Sequence, residues 1–275
     1  MPLPDTDDAE TFAALLEQRI RDTGQRFIFL IDEADRFIAH EQKQGYLILN
    51  VFRRLSEPGH CSFILAGFWQ LYQHAVLDYQ SPLRNFGEVL EIGALERDAC
   101  YQLATQPPSH PATQPMQSMS LGYASNAIVQ DMIQRCGQRA NLIAYVCHQL
   151  IQNLPAQQRS IAAGDIHRVL ASREMGKRFD GWAVGNNDQE QRYDRLVVYA
   201  TIGKPNFSTG ELIRQLADQH LSFDAAELER TLSRLELAFI LTRVSNRWQY
   251  CVPLFADYLR ADEPELKLAT LLQQW

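Results

Sequence analysis

The sequence has no pair of cysteines at CxxC spacing and no long uncharged apolar run. Its five cysteines are odd in number and scattered over 275 residues. A zinc site or a disulfide framework is therefore not expected, and a reducing, cytoplasmic compartment is the default. Without an apolar run of about 18 residues we expect no membrane span. The opening MPLPDTDDAE lacks the basic and apolar regions of a signal peptide.

The sequence also lacks an excess of positive charge. Lysine and arginine number 26 against 33 acidic residues, which gives a net charge of −7. This balance argues mildly against a protein that mainly coats nucleic acid. Apolar residues make up 46% and charged residues 21%, as in an ordinary globular protein with a real core. The length suits one large domain or two to three small ones.

Two apolar runs, RFIFLI at 26–31 and CSFILA at 61–66, predict buried strands. A helix predicted at 44–55 lies between them, and strand–helix–strand is the parallel crossover pattern. A continuous apolar run is typical of a strand that is buried on both faces. EVLEI at 88–92 predicts another strand. The expected fold class is therefore α/β with a parallel sheet.

Most of the remaining chain is predicted to be helical. Apolar spacing predicts an amphipathic helix at 9–23 and a small helical bundle further along. The C-terminal part reads as three helices and then a hairpin with Ser245-Asn246 at its turn, which is the winged-helix order. The helices expected in the bundle and in this module cover 126–135, 142–151, 164–173, 193–202, 209–219 and 224–237.

An acidic pair, Asp32 and Glu33, directly follows the first apolar run. Four apolar residues and then Asp-Glu form the Walker B arrangement of P-loop ATPases, and ligands bind at the carboxyl ends of parallel strands. Asp32 would hold the Mg²⁺ that bridges the β- and γ-phosphates, while Glu33 would polarise the attacking water. The alternative is that Asp32 and Asp35 only cap the helix that follows.

Over nearly its whole length the sequence resembles the STAND branch of AAA+-like ATPases. The segments that carry the resemblance are FIFLIDEADRFI as Walker B, FILAG at 63–67 as the next core strand, the stretch from 81 to 108 as the exit into a helical lid, CGQRANLIAYVCHQLI at 136–151 as the lid motif, and 194–260 as the winged helix. The resemblance implies ATP and Mg²⁺ as cofactors and a nucleotide-dependent signalling or regulatory switch. It further implies a protein partner or effector domain, and it allows an oligomer.

On this resemblance the chain divides into six parts. They are a partial P-loop ATPase core with Walker B at 1–104, a proline-rich loop at 105–120, a helical lid at 121–174, a linker at 175–192, a winged helix at 193–262 and a C-terminal tail at 263–275.

The resemblance also implies roles for two arginines. Arg139 matches the lid position from which related ATPases touch the nucleotide phosphates, and Arg84 matches an arginine that reaches a neighbouring catalytic site. A trans-acting arginine stabilises transition-state charge. The alternatives are a solvated arginine at a helix start for Arg139 and an exposed loop arginine for Arg84.

Two features depart from the family pattern. Gly67-Phe68-Trp69 stands where many AAA+ ATPases carry a polar first sensor. Walker A, GxxxxGK[ST], is also absent, because neither Gly-Lys pair, at 176–177 or 203–204, lies in that motif. We therefore expect this chain alone to bind ATP poorly and to need a P-loop segment from upstream. A fragment, a split subunit and a degenerate product all stay open.

A competing hypothesis is a non-enzymatic protein- or DNA-binding winged-helix module. Residues 193–262 carry eight basic and nine acidic residues, and the third helix sets four acids against Arg230 and Arg234. Phosphate contacts dominate DNA affinity, so DNA binding is disfavoured. A DEAD-type helicase, suggested by the literal Asp-Glu-Ala-Asp, is also disfavoured, since neither Ser-Ala-Thr after the next strand nor His-Arg-x-Gly-Arg occurs.

Overall fold

The computed structural model describes residues 8–59, 61–107, 121–153 and 160–275. The chain divides into a first unit, Met1–Glu91, and a second unit, Ile92–Trp275. No helix in the described part of the chain combines the length and the apolarity that a membrane crossing requires.

The first unit alternates helices with two strands. Its elements are α1 (Ala9–Thr23), β1 (Phe27–Ile31), α2 (Ala34–Lys43), α3 (Leu47–Ser56), β2 (Cys61–Leu65), α4 (Trp69–Tyr72) and a π-helical turn (Gln73–Leu77). The Asp8 side chain accepts a hydrogen bond from the Thr11 N–H and so caps α1. Gly24, at φ +66°, ends α1 in the left-handed conformation that glycine favours. The predicted helix at 9–23 is thus confirmed.

β1 and β2 pair in parallel, with Phe27 opposite Cys61 and Ile31 opposite Leu65. One face of this sheet packs on α1 and α3 through Phe29 and Phe63. On the other face the side chains are largely exposed: Ile28 at 68%, Leu30 at 75% and Ile64 at 58%. The expectation of strands buried on both faces is therefore wrong for the described residues, because their helices cover only one face of the sheet.

The strand predicted at 88–92 is also wrong. Residues 88–92 form no strand among the described residues, and Leu90 and Ile92 are exposed. A strand needs a neighbour for its backbone hydrogen bonds, and the apolar alternation of EVLEI supplies none. The described parallel sheet therefore has two strands.

The second unit is mainly helical. Its elements are α5 (Arg97–Thr105), α6 (Asn126–Arg135), α7 (Ala140–Asn153), α8 (Ala163–Leu170), α9 (Arg173–Gly176), a 3-10 turn (Lys177–Phe179), α10 (Asp188–Thr201), α11 (Thr209–Asp218), α12 (Ala225–Leu237), β3 (Leu241–Val244), β4 (Arg247–Tyr250), α13 (Pro253–Arg260) and α14 (Pro264–Gln273). Each helix predicted in this unit has a counterpart. Of the predicted proline-rich loop, residues 108–120 lie outside the described residues.

The three helices α10 to α12 are followed by the antiparallel pair β3–β4, in the order that the sequence predicts. Ser245 and Asn246 both have positive φ, at 48° and 62°, as a type I′ hairpin turn requires. An isolated bridge joins Phe207 to Trp248 in β4. The tail forms α14, and the Trp275 ring meets Tyr193 of α10 edge to face, 4.8 Å between centroids. One hydrophobic core runs from Cys100 to Leu271.

Candidate functional site

The carboxyl ends of β1 and β2 meet at one edge of the sheet. Beyond the strands the Ala66 N–H donates to the Ile31 carbonyl at 2.8 Å, and the Ala34 N–H donates to the Ala66 carbonyl at 2.8 Å. Asp32 and Glu33 lie between these anchors and are both exposed. Because the backbone on either side of the pair is hydrogen-bonded to Ala66, directly after β2, the backbone of the pair has a defined place at the sheet edge.

The two acids have different contacts. The Asp32 Oδ1 accepts a hydrogen bond from the Glu33 N–H at 2.9 Å. Glu33 is the N-cap residue of α2, has φ +50°, and makes no side-chain capping bond. Its Oε2 lies 3.1 Å from Nη1 of Arg36, with both side chains mostly exposed. An exposed ion pair of this kind is weak, so the Glu33 carboxylate stays available to a ligand or a water.

Asp35 is the structural acid of this segment. Its carboxylate accepts hydrogen bonds from the N–H groups of Phe68, Gln70 at 2.7 Å and Leu71 at 3.2 Å, at the start of α4. The alternative predicted that Asp32 and Asp35 cap the helix that follows them, α2. Asp35 instead caps α4, so this alternative is wrong about the helix. Asp35 satisfies the free N–H groups of α4, while α2 has no side-chain cap from its own N-cap residue.

Gly67 permits this capping contact. A Cβ atom at Gly67 would lie 2.6 Å from the Asp35 Oδ2 and 3.0 Å from the Leu71 Cβ. Gly67, which stands at the expected place of the polar sensor, therefore lies in close contact with the Asp35 side chain of α2. In the sequence, this contact is indicated only by a glycine directly after an apolar strand, since such a glycine is typical of a site where another part of the chain approaches the backbone closely.

The Asp32 carboxylate at the sheet edge is a suitable ligand for Mg²⁺. Carboxylate oxygens are preferred Mg²⁺ ligands, and this ion is commonly held by one or two carboxylates together with substrate phosphates. Asp32 supplies such a carboxylate. Within residues 8–59, 61–107, 121–153 and 160–275 no cluster of three or more His, Cys, Asp or Glu side chains could hold a metal by itself. A metal at Asp32 would therefore depend on oxygen ligands from a bound phosphate.

Arg84 lies in the same unit and is held by its neighbours. Its Nη1 donates to the Val76 carbonyl, and its guanidinium carbon lies 4.4 Å from the centroid of the Tyr79 ring. Arg53 is held nearby, since its Nη1 donates to the Pro82 carbonyl at 3.3 Å. Both arginines line one cavity of about 500 Å³.

Arg139 lies in the second unit, at the loop that precedes α7. Its Nη1 donates to the Ala238 carbonyl at the C-terminal end of α12, at 3.1 Å. Its guanidinium carbon is 6.0 Å from the centroid of the Phe239 ring. Burial lowers the pKa of Arg139. The structure thus brings Asp32 and Glu33 together, places Arg84 in the same unit, and gives Arg139 partners at the end of α12.

The surface of α12 carries less positive charge than the sequence suggests. Arg234 has no exposed side-chain area, and its Nε donates to the Asp194 Oδ1 at 2.9 Å. The other basic residue, Arg230, lies 3.6 Å from the Glu227 carboxylate. Glu229 and Glu236 are exposed. This distribution weighs further against DNA binding through α12, because one of its two basic residues is not at the surface.

No protein-family model matches the sequence, and no curated protein matches it. Among solved structures, the chain is similar in fold to the Walker-type ATPase PABY2304 of Pyrococcus abyssi, with a TM-score of 0.60 and 17% identity. The match covers 93% of this chain and 69% of that one. The described part of this chain gives that fold in a mostly helical form with a small parallel sheet.

Proposed function

We propose that this chain is the C-terminal part of a STAND/AAA+-like ATPase and works as a nucleotide-dependent signalling or regulatory switch. The observation that carries the proposal is the exposed pair Asp32 and Glu33 at the carboxyl edge of a parallel sheet, in a chain with a P-loop ATPase-like fold. Open parallel sheets bind ligands at this edge.

The two carboxylates would divide the work. Asp32 would hold Mg²⁺, which neutralises charge on the phosphates when it is bound. Glu33 would leave its weak pair with Arg36 and orient the attacking water. Adjacent side chains at a strand end diverge, so one residue can serve the metal while the other serves the water.

The phosphate cradle would come from outside these 275 residues, since the sequence holds no GxxxxGK[ST] motif. The open face of the sheet supports this step. Parallel sheets are almost always covered on both faces, and Ile28, Leu30 and Ile64 are largely exposed here. A P-loop strand and its helix would extend the sheet and cover these side chains.

The rest of the chain would relay the nucleotide state. In this proposal the helical lid at 121–174 senses the phosphates through Arg139, and the winged helix at 193–262 passes the change to a protein partner or effector domain. The hydrogen bond from Arg139 to the Ala238 carbonyl supports this coupling, because a phosphate that competes for Arg139 would release α12 from the loop before α7. Arg84 would act in trans through the guanidinium donors that its hydrogen bond to the Val76 carbonyl does not use.

The decisive measurement is the affinity for Mg-ATP by calorimetry. This chain alone is compared with a fusion to a GxxxxGK[ST] segment encoded upstream of it. We expect the chain alone to bind poorly and the fusion to bind at micromolar ATP. Asp32→Asn should weaken metal-dependent binding, and Glu33→Gln should abolish hydrolysis but keep binding. Asp22→Asn, an exposed acid in α1, is the matched control.

Two outcomes would contradict this function. One is micromolar Mg-ATP binding by the chain alone that Asp32→Asn does not change. The other is a well-folded fusion that binds no nucleotide. If a partner binds without nucleotide and equally well after Glu33→Gln, the non-enzymatic module is the better description.

A further inference from the structure

A second concave site lies in the first unit, away from the acid pair in sequence. It is a cavity of about 500 Å³ between the start of α3 and the segment that follows the π-helical turn. Hydrogen-bonding side chains make up most of its lining, among them Asn50, Arg53, Gln80, Arg84 and Asn85.

The charge of this cavity is one-sided. Two of its described lining residues are arginines, and none of them carries a carboxylate, although the chain as a whole has a net charge of −7. Asp78 lies beside the cavity, but its Oδ1 accepts the Gln80 N–H at 2.9 Å and its Oδ2 lies 3.6 Å from the His74 Nδ1. Two guanidiniums without an acidic partner in the lining favour an anion.

Both guanidiniums have protein contacts before a ligand arrives. Arg84 is held by the Val76 carbonyl and the Tyr79 ring, while Arg53 donates to the Pro82 carbonyl at 3.3 Å and makes a weak 3.8 Å pair with the exposed Glu57. A guanidinium has five N–H donors, so these contacts leave donors for a ligand. Side chains that are already ordered reduce the entropy cost of binding.

The neighbouring groups do not form a hydrolytic site. Ser81 Oγ lies 3.2 Å from His74 Nδ1, but the Asp78 carboxylate faces the same nitrogen at 3.6 Å. A Ser-His-Asp relay needs the serine and the acid on opposite ring nitrogens. Burial lowers the pKa of His74 more than Asp78 raises it. Ser81, His74 and Asp78 therefore do not form a relay that would activate the Ser81 hydroxyl.

The N-terminus of α3 contributes no anion site either. The N–H groups of Ile48 and Leu49 donate to the buried Glu41 carboxylate at 2.7 and 3.0 Å. These donors are already satisfied, and the site depends on side chains alone.

We propose that this cavity binds a phosphorylated small molecule, with Arg53 and Arg84 on the phosphate. The side chains of Asn50, Gln80 and Asn85 supply further donors for the phosphate or for hydroxyl groups of the ligand. This site uses neither Asp32 nor Glu33, although it shares Arg84 with the trans-acting role proposed above.

The test is calorimetry on the full chain at constant ionic strength, with inorganic phosphate and with glycerol 3-phosphate as probes and chloride as the reference anion. We expect saturable binding of glycerol 3-phosphate. Arg53→Gln and Arg84→Gln should each weaken it at least tenfold, because each removes a charge-assisted hydrogen bond to the phosphate. Asn50→Asp, which adds a carboxylate to the lining, should weaken it as well.

The controls establish whether the phosphate binds in this cavity or elsewhere on the chain. Arg21→Gln, an exposed arginine of α1 outside the lining, should leave the affinity unchanged, as should Asp32→Asn. Loss of binding in Asp32→Asn would move the site to the acid pair and overturn the proposal. Binding that survives both arginine variants, or an oligonucleotide that binds where glycerol 3-phosphate does not, would overturn it too. Circular dichroism of each variant checks that it is folded.

Discussion

The two units bury their apolar side chains in different ways. In the second unit one continuous core links the helices from α5 to α14. The first unit has two small buried clusters, one around Leu16 and Val51 and one around Ile38 and Leu49, and its sheet leaves one apolar face open. The second unit therefore has one continuous core, while the described residues of the first unit leave one face of its sheet uncovered.

The largest effect is expected in the second unit, at its buried ion pair. Asp194 and Arg234 have no exposed side-chain area, and the Asp194 Oδ2 also accepts the N–H groups of Val184 and Gly185 at 2.9 and 2.8 Å. Asp194→Ala leaves a buried guanidinium without this carboxylate and should lower the free energy of unfolding by about 3–5 kcal/mol. Urea denaturation measures it.

The matched control for this change is Asp218→Ala, at the exposed end of α11. It should alter the free energy of unfolding by less than about 0.5 kcal/mol. A loss below about 1 kcal/mol for Asp194→Ala would mean that the second unit does not depend on this pair, and would weaken the contrast between the units.

A smaller effect is expected in the first unit, at Gly67. A methyl group there would collide with the Asp35 carboxylate, so Gly67→Ala should destabilise this unit by about 1–3 kcal/mol. Trp69 is fully buried and is the sole tryptophan in residues 1–91. Its fluorescence, with the other tryptophans replaced by phenylalanine, follows the unfolding of this unit.

Gly87→Ala is the control for Gly67→Ala, because a Cβ at Gly87 meets no atom within 4 Å. Asp35→Ala removes the group that the new methyl would strike. If Gly67→Ala is as costly in the Asp35→Ala background as in the wild type, the clash with the Asp35 carboxylate is not the cause of the loss.

How well the sequence predicts each part of the fold depends on how far apart in the chain the contacting residues lie. Apolar runs gave β1 and β2, and helical periodicity gave α1 and the helices of the second unit, because those patterns are local. The strand expected at 88–92 failed since it needs a neighbour that no local pattern supplies. The burial of Arg234 depends on Asp194, 40 residues away, so a charge count along the chain misjudges it.

The candidate site divides in the same way. Asp32 and Glu33 follow an apolar strand, and this local pattern predicts their position at a sheet edge. The role of Asp35 rests on N–H groups more than 30 residues later in the chain, and the sequence gives no partner for it. The roles of Asp32, Glu33, Arg84 and Arg139 in nucleotide chemistry stay predictions.

A still smaller effect, and one that depends on pH, is expected at Glu211 in α11. The Ser208 N–H, and after it Arg247, lower the pKa of this carboxyl. Because the pKa is lower in the folded state, the stabilisation is present above the usual glutamate pKa of about 4.3 and is lost as pH falls through the folded value. Glu211→Gln should lower Tm slightly at pH 7.

The Tm difference between wild type and Glu211→Gln should narrow as the pH falls below about 4. Glu229→Gln, which removes one exposed carboxylate of α12, is the matched control for the change of side chain. If the Tm difference between wild type and Glu211→Gln stays constant from pH 7 to pH 3, the loss of Tm is due to the change of side chain and not to its charge.

The smallest effect is expected on the open face of the sheet. Leu30→Thr replaces a largely exposed side chain with another good strand former, and should change the free energy of unfolding by less than about 0.5 kcal/mol. Leu55→Ala, on the buried side of α3, should cost about 2–5 kcal/mol. Urea denaturation followed by Trp69 fluorescence measures both.

A loss above about 1 kcal/mol for Leu30→Thr would mean that this face is covered in the folded chain, and the first unit would then need no further segment to complete it. An unchanged stability in this chain, together with a loss in the fusion that carries a P-loop segment, would show that the segment covers Leu30.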